Sequence, residues 1–306
     1  MAKWTVDDIP DQTGRTIFVT GASSGLGLRS AEALASRGAR VLIGCRNQEK
    51  AAVALETVKN AAAGPAPEVV PLDLADLDAV RACAERLTRQ IDRLDVLMNN
   101  AGTMVIPHQH TKQGFEMQFA TNHLGHFALT GLLLPLLRRA HASRVVSVSS
   151  AVHRVARIRF DDWEKKGYSR WFPYVQSKLA PLLFTSELQR RAAAAGADVL
   201  AVAAHPGFAA TNLSSGLPAI YRLGAKLSFR LAAQPDRMGA LPQLYAATMP
   251  DVGPDDYWGP DGFGERRGWP KRVGCGRAAR DGDAARRLWE VSERLTGVTY
   301  TWDRDG

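Results

Sequence analysis

Short runs that are apolar throughout alternate along this chain with longer stretches in which apolar residues return every three or four positions. The runs at 16–20, 41–44, 69–72, 96–98, 145–148 and 199–204 predict six strands. The stretches between them predict helices. One runs from the turn after Thr20 to Arg37, with Gly38 as its stop. A second reaches about Lys59, before a Gly-Pro linker at 64–67. Others cover 77–90, 115–137 and 174–195. Strands without polar alternation are buried on both faces, and strand-helix alternation builds a parallel sheet between two helical layers. The expected fold class is therefore α/β, a single doubly wound domain over 1–306.

Two segments break the rhythm, an insertion at 151–173 and a stretch at 213–233. In the second, Leu217, Ile220, Tyr221, Leu223, Leu227 and Leu231 recur as on an amphipathic helix. Both segments leave from the carboxyl edge of the strands, where ligands bind in open α/β sheets, so both are expected to wall a substrate site. Surface packing is the plain alternative. For 213–233 a lid and a membrane-surface helix, with Arg222, Lys226 and Arg230 towards headgroups, both stay open. Residues 253–306 read as a C-terminal extension.

Composition narrows the class. The chain has 306 residues, 45% apolar and 23% charged, which suits a globular protein with a full core. The longest apolar stretch, 127–137, is short and carries Pro135, so no transmembrane anchor is expected. Residues 1–12 are polar and acidic and lack the apolar centre of a signal peptide, which points to a cytoplasmic protein. Cys45, Cys83 and Cys275 are odd in number and far apart, and His108 and His110 have no matching ligand pair, so neither disulfides nor a metal is expected. The net charge is +8. Its basic residues are scattered, and the densest cluster, at 265–280, lies in a Gly/Pro-rich stretch that reads as a solvated loop. No nucleic-acid partner is expected; a mild positive field would draw in a phosphate-bearing cofactor.

The run Thr20-Gly21-Ala22-Ser23-Ser24-Gly25-Leu26-Gly27 joins the first strand to the first helix. Gly21 permits a tight turn, Gly25 lets a pyrophosphate approach the backbone, and Gly27 lets the helix pack close to the sheet. The N–H groups at the helix start then face the phosphate. In this strand-turn-helix setting the run predicts nucleotide binding. After the second strand, an acid would suit NAD by holding the ribose 2′-hydroxyl. Here the chain reads Gly44-Cys45-Arg46-Asn47, and Arg46 can pair with a 2′-phosphate, so NADP (as NADPH) is favoured over NAD. Asp73-Leu74 ends the third strand, where it could meet an adenine ring or cap the next turn. Asn99-Asn100-Ala101-Gly102 ends the fourth. Small residues there would let a cofactor lie against the backbone, and the Asn side chains could tie strands together.

Tyr174 and Lys178 stand four residues apart at the head of a predicted helix, hence on one face. An ammonium beside a phenol favours the phenolate. Such a phenol can give or take a proton while another group moves a hydride.

With the glycine turn, Asn-Asn-Ala-Gly, Ser150, Tyr-x-x-x-Lys and Pro206-Gly207 in this order, residues 14–212 resemble the short-chain dehydrogenase/reductase family, whose domain is of Rossmann type. The 151–173 insertion, Ser177-Lys178-Leu179-Ala180 and Gly259-Pro260-Asp261-Gly262 resemble its retinol dehydrogenase-like and protochlorophyllide reductase-like branch. The resemblance implies that Tyr174 is the general acid/base. Lys178 would lower its pKa and hold the nicotinamide ribose. Ser150, the second of the Ser149-Ser150 pair, would steady the substrate oxygen. It stands 24 positions before Tyr174, further than in many relatives, as the longer loop of this branch requires. Asn122 would hold a water relaying protons to Lys178; on its own it reads as a helix-surface or cap residue. Pro206, Gly207 and Thr211 would border the nicotinamide. His123, His126 and His205 need no catalytic role.

The implied activity is NADP-dependent interconversion of a ketone or aldehyde and its alcohol. The expected walls at 152–172 and 213–231 hold Trp163, Trp171, Phe172, Leu217, Ile220 and Tyr221, which suits a hydrophobic small-molecule substrate. Reduction of a conjugated C=C on the same site and a non-catalytic NADP-sensing role are the alternatives. Relatives often pair through the two long helices, so a homodimer or homotetramer is an expectation.

Overall fold

The structure is a computed structural model that describes residues 3–160, 169–208 and 234–302. Thr211, Trp163 and the 213–233 stretch lie outside the described residues. Eight strands form one sheet among those residues: β1 (Thr16–Thr20), β2 (Arg40–Cys45), β3 (Glu68–Pro71), β4 (Val96–Asn99), β5 (Ser143–Val148), β6 (Val199–Ala204), β7 (Tyr257–Pro260) and β8 (Pro270–Arg272). Their spatial order is β3-β2-β1-β4-β5-β6-β7-β8. All neighbours are parallel except the antiparallel pair β7 and β8. The six predicted strands are all present. The extension adds the last two, which are short, with prolines at the ends where a ladder can spare an N–H.

The helices are α1 (Gly25–Ala35), α2 (Gln48–Ala61), α3 (Leu77–Gln90), the single turn α4 (Met117–Phe119), α5 (Gly125–Arg139), α6 (Trp171–Ala194), α7 (Asp236–Thr248) and α8 (Gly282–Thr296). Side chains alternate across each strand. Ile17, Val19, Val41, Ile43, Val96 and Met98 therefore pack on one side with α1 and α7, while Phe18, Leu42, Leu97 and Val145 pack on the other with α3, α5 and Trp289. α8 is amphipathic and lies along α6 and α5. Its Trp289 is sealed between Phe127, Phe184 and Tyr300, with ring centroids 5.1, 5.8 and 4.4 Å away. The two long helices thus carry α8 on a shared face. No helix among the described residues is long and apolar enough to cross a membrane.

Two predicted boundaries move. The helix expected over 115–137 is broken: a π turn (Ala120–Leu124) separates α4 from α5. The helix expected from Tyr174 begins earlier, at Trp171, inside the insertion.

Candidate active site

All the parallel strands end at one edge, and the chain changes direction between β1 and β4, where such sheets open a crevice. The glycine turn stands there. Gly21 takes φ +69° and Gly25 φ +54°, a region that favours glycine. A Cβ on Gly27 would come within 2.5 Å of Asn100 Nδ2 and 2.6 Å of Gly21 O, so α1 meets the turn at backbone distance. Ser24 starts α1 without capping it through its side chain, leaving the first N–H groups to a ligand. Ser23 flanks it, and Leu26 is buried.

The turn is locked from β4. Asn100 Nδ2 donates to Thr20 O at 2.7 Å, and Thr20 Oγ1 accepts from the N–H groups of Asn100 and Ala101, each at 3.0 Å. The Asn100 side chain therefore does tie β4 to β1, whereas Asn99 Nδ2 donates to Thr130 Oγ1 of α5 at 3.0 Å. Arg46 leaves β2 with its side chain 71% exposed and its Nη1 3.6 Å from Asp73 Oδ2. Asn47 caps α2 by accepting from Lys50 N–H. Asp73 accepts from Ala75 N–H, the capping alternative considered for it, and Leu74 is buried.

Three of the four candidate catalytic side chains meet around α6. Tyr174 is buried, and the Ser150 hydroxyl, just past the end of β5, stands close enough to its phenol to favour the phenolate. Lys178, one turn along, is buried too and donates from Nζ to Val148 O at 3.3 Å. Ser149 turns the other way and donates to Lys178 O at 2.6 Å. The two serines are thus told apart by geometry. A Cβ on Gly102 would lie 3.3 Å from Asn122 Oδ1 and 3.4 Å from Lys178 Nζ, which brings the end of β4 to the same place.

Asn122 is neither a cap nor a surface residue. It is buried in the π turn, a form frequent at functional sites. Its Oδ1 accepts from Thr103 N–H at 2.7 Å, and its Nδ2 donates to Thr103 O and to Ser177 Oγ. Ser177 in turn donates to Tyr174 O. His126 Nδ1 faces Asn122 O at 3.2 Å, and its Nε2 faces Thr20 Oγ1 at 2.9 Å. A carbonyl can only accept, so the proton is on Nδ1. This histidine joins the π turn to the glycine turn.

Electrostatics correct one expectation. In the free protein Lys178 does not bring the Tyr174 phenol down. Burial pushes that phenol up to about 12, against the pull of the nearby Ser150 hydroxyl, and burial brings the Lys178 ammonium down to about 8. Desolvation disfavours the charged form of each.

A family model for short chain dehydrogenases matches residues 15–219. The chain belongs to that family of oxidoreductases. It is 38% identical over 301 residues to retinol dehydrogenase 13 of Mus musculus, covering 96% of this chain and 87% of that one. It is 40% identical over 300 residues to mouse retinol dehydrogenase 14, covering 93% and 86%. Among solved structures, an uncharacterised protein of Mycobacterium paratuberculosis is similar, with TM-score 0.82 and 42% identity over 98% of this chain and 100% of that one. The NADP complex of Pseudomonas aeruginosa RhlG has TM-score 0.65 at 23% identity, covering 81% and 94%, and shares the fold.

The C-terminal part of this short-chain dehydrogenase contributes contacts that no motif announces. Pro206 O accepts from Gln234 Nε2 at 2.7 Å, and Phe208 N–H donates to Arg266 O at 2.7 Å. His205 Nδ1 accepts from Gly207 N–H, leaving the proton on Nε2, 3.2 Å from Glu265 Oε2. That approach is close but poorly aligned for a hydrogen bond. The His205 ring, and then Arg154 at 2.8 Å, hold the Glu265 carboxyl down at about 2. His205, set aside above as non-catalytic, is thus a buried link. Arg154, Gln234 and Glu265 were missed; the one sequence signal near them is the Gly259-Pro260-Asp261-Gly262 run.

Proposed function

We propose that this chain is an NADP-dependent oxidoreductase that interconverts a hydrophobic ketone or aldehyde and its alcohol, with Tyr174 as general acid/base. The observation that carries this reading is the approach of Ser150 to the Tyr174 phenol, with Lys178 one helical turn away, on the sheet edge that also holds the glycine turn. The residues present fit a dinucleotide. The turn leaves no room for a Cβ at Gly27, the α1 N–H groups are uncapped, and Arg46 is exposed beside the β2 end.

The cofactor, when bound, supplies or takes the hydride. Gly21, Ser23, Ser24, Gly25, Leu26 and Gly27 would receive its phosphates, Arg46 and Asn47 the 2′-phosphate, and Asp73 and Leu74 the adenine. Asn100, Ala101 and Gly102 would lie along it, and Pro206, Gly207 and Thr211 beside the nicotinamide. Ser150 holds the substrate oxygen and keeps it in line with the phenol. Tyr174, a neutral phenol at ordinary pH, gives its proton to that oxygen in reduction and takes it back in oxidation. Lys178 stabilises the phenolate left behind. Asn122 fixes the π turn beside Lys178, where a relayed proton would enter.

The names of the retinol dehydrogenase relatives support an apolar substrate. So does Trp171, which is half exposed and stands edge-on to the Tyr174 ring at 6.4 Å. Assembly through α5 and α6 would have to accommodate α8, which lies on both. The test is consumption of NADPH, followed by its nicotinamide absorbance, against a panel of hydrophobic ketones, aldehydes and enones, with NADH alongside. Turnover on a carbonyl with NADPH supports the reading. Turnover on enones alone, or with NADH alone, would overturn it.

A further inference from the structure

Ser150 follows the last residue of β5 by two positions and opens a loop longer than in many relatives, so something has to fix it. The turn's own bond from His153 N–H to Ser150 O, at 3.1 Å, does part of this, and two further contacts run through one imidazole. His153 lies in the 3-10 turn (Ala151–Val155) that Ser150 starts, and it is fully buried. Its Nδ1 stands 2.7 Å from Ser150 O. Its Nε2 stands 3.0 Å from the backbone nitrogen of Gly276, far along the chain in the C-terminal extension. The partners decide the tautomer: a carbonyl only accepts and an N–H only donates, so the proton is on Nδ1 and Nε2 is bare. The ring also stands edge-on to Tyr257 of β7, with centroids 5.4 Å apart. Burial keeps it neutral, bringing its pKa down to about 4. Arg154, next in the turn, adds bonds to Glu265 and to Gly274 O at 2.8 Å.

We infer that His153 is a positioning residue for the reaction: it clamps the Ser150 backbone to the C-terminal extension and so holds the Ser150 hydroxyl on Tyr174. This rests on the reading of Ser150 and Tyr174 given above. His153 touches neither hydroxyl, so its effect must pass through Ser150. Misplacing a reacting group by about 1 Å costs on the order of a hundredfold in rate. The extension, which carries no family motif at Gly276, thereby becomes part of the catalytic frame.

The test compares His153→Phe, which keeps a ring against Tyr257 and loses both hydrogen bonds, with His153→Asn, whose amide can still donate to Ser150 O. Single-turnover oxidation of NADPH at saturating carbonyl is measured in both, in wild type, in Ser150→Ala and in the Ser150→Ala/His153→Phe pair. NADPH affinity is measured by its fluorescence. His153→Phe is expected to slow the step by about ten- to a hundredfold with NADPH affinity unchanged. His153→Asn should recover most of the rate, and His153→Phe should add little on top of Ser150→Ala. Additive losses in the pair, an unaltered rate in His153→Phe, or a fall in NADPH affinity instead of rate would overturn the inference. Wild type inactive across the panel, or Tyr174→Phe as active as wild type, would overturn the underlying reading and the role of His153 with it. If His153→Phe does not fold, His153→Leu, which also loses both ring hydrogen bonds, takes its place in both backgrounds, and additivity there has the same meaning.

Discussion

The glycine turn and the Ser150–Tyr174 pair stand at the same sheet edge but are built differently. Around the turn, shape is enforced sterically. Gly21 and Gly25 occupy positive φ, Gly27 meets Gly21 O at backbone distance, and hydrogen bonds between Thr20 and Asn100 then tie the strands. Around Ser150, placement is enforced by hydrogen bonds from afar, from Gly276 through His153 and from Glu265 through Arg154. A steric demand leaves a residue type behind it in the sequence. A hydrogen bond to a backbone N–H leaves none at Gly276, because any residue but proline offers one.

The widest separation between the two regions comes from Tyr174→Phe. Losing the proton donor is expected to cut turnover by about 100- to 10,000-fold while NADPH affinity stays nearly intact. Turnover and fluorescence titration on the same sample check this, and retained activity would sink the mechanism.

Acid is expected to act on both regions. Burial holds His123 down at about 3, and His126 and His153 at about 4. In the unfolded chain they titrate near 6.5, so below that pH the unfolded state binds more protons. The stability these groups contribute is therefore complete above about pH 6.5 and is lost as the pH falls towards 4. Each takes up to one proton, or about 1.4 kcal/mol per pH unit. Urea unfolding across this window should show the slope, and His153→Phe should reduce it by about one proton. A slope unchanged in that variant would mean that His153 is not held neutral.

How much was legible follows from the same contrast. The strand-helix alternation, the glycine turn and Tyr174-x-x-x-Lys178 were readable, because buried parallel strands, positive φ and one-face helical spacing each select residue types. The choice of Ser150 over Ser149 rested on family order; in the structure Ser149 is turned to Lys178 O. The π turn at Asn122 was not legible: it is one extra residue inside an unbroken helical pattern, sustained by side-chain bonds to Thr103 and Ser177. β7 and β8 were missed because Gly259, Pro260 and Pro270 read as turn residues. The depression of the Tyr174 phenol was expected from charge alone, and burial, which a sequence does not display, reverses it.

Gly27→Ala breaks the steric region alone. Its Cβ would meet Asn100 Nδ2 and Gly21 O, so the expected cost is about 1–3 kcal/mol in unfolding free energy. NADPH affinity should fall, while the Ser150 contact to Tyr174 is untouched. A variant as stable as wild type with full cofactor affinity would show that the close approach of α1 to the turn is not needed.

The smallest effect is expected at Arg46, which is held neither by packing nor by a close bond. Its contact with Asp73 is 3.6 Å long and largely exposed, and such pairs contribute about 0–1 kcal/mol. The side chain can therefore leave Asp73 for a 2′-phosphate at little cost, and a charge-assisted hydrogen bond to it brings about 1.5–3 kcal/mol. Arg46→Asp removes that bond and sets a second carboxylate near Asp73. The ratio of kcat/KM for NADPH over NADH should fall by about tenfold or more, with the unfolding midpoint almost unmoved. An unmoved ratio would show that Arg46 does not read the 2′-phosphate. A fallen midpoint would mean that Arg46 is tied down after all, and that the contrast between a locked turn and a free arginine fails at this residue.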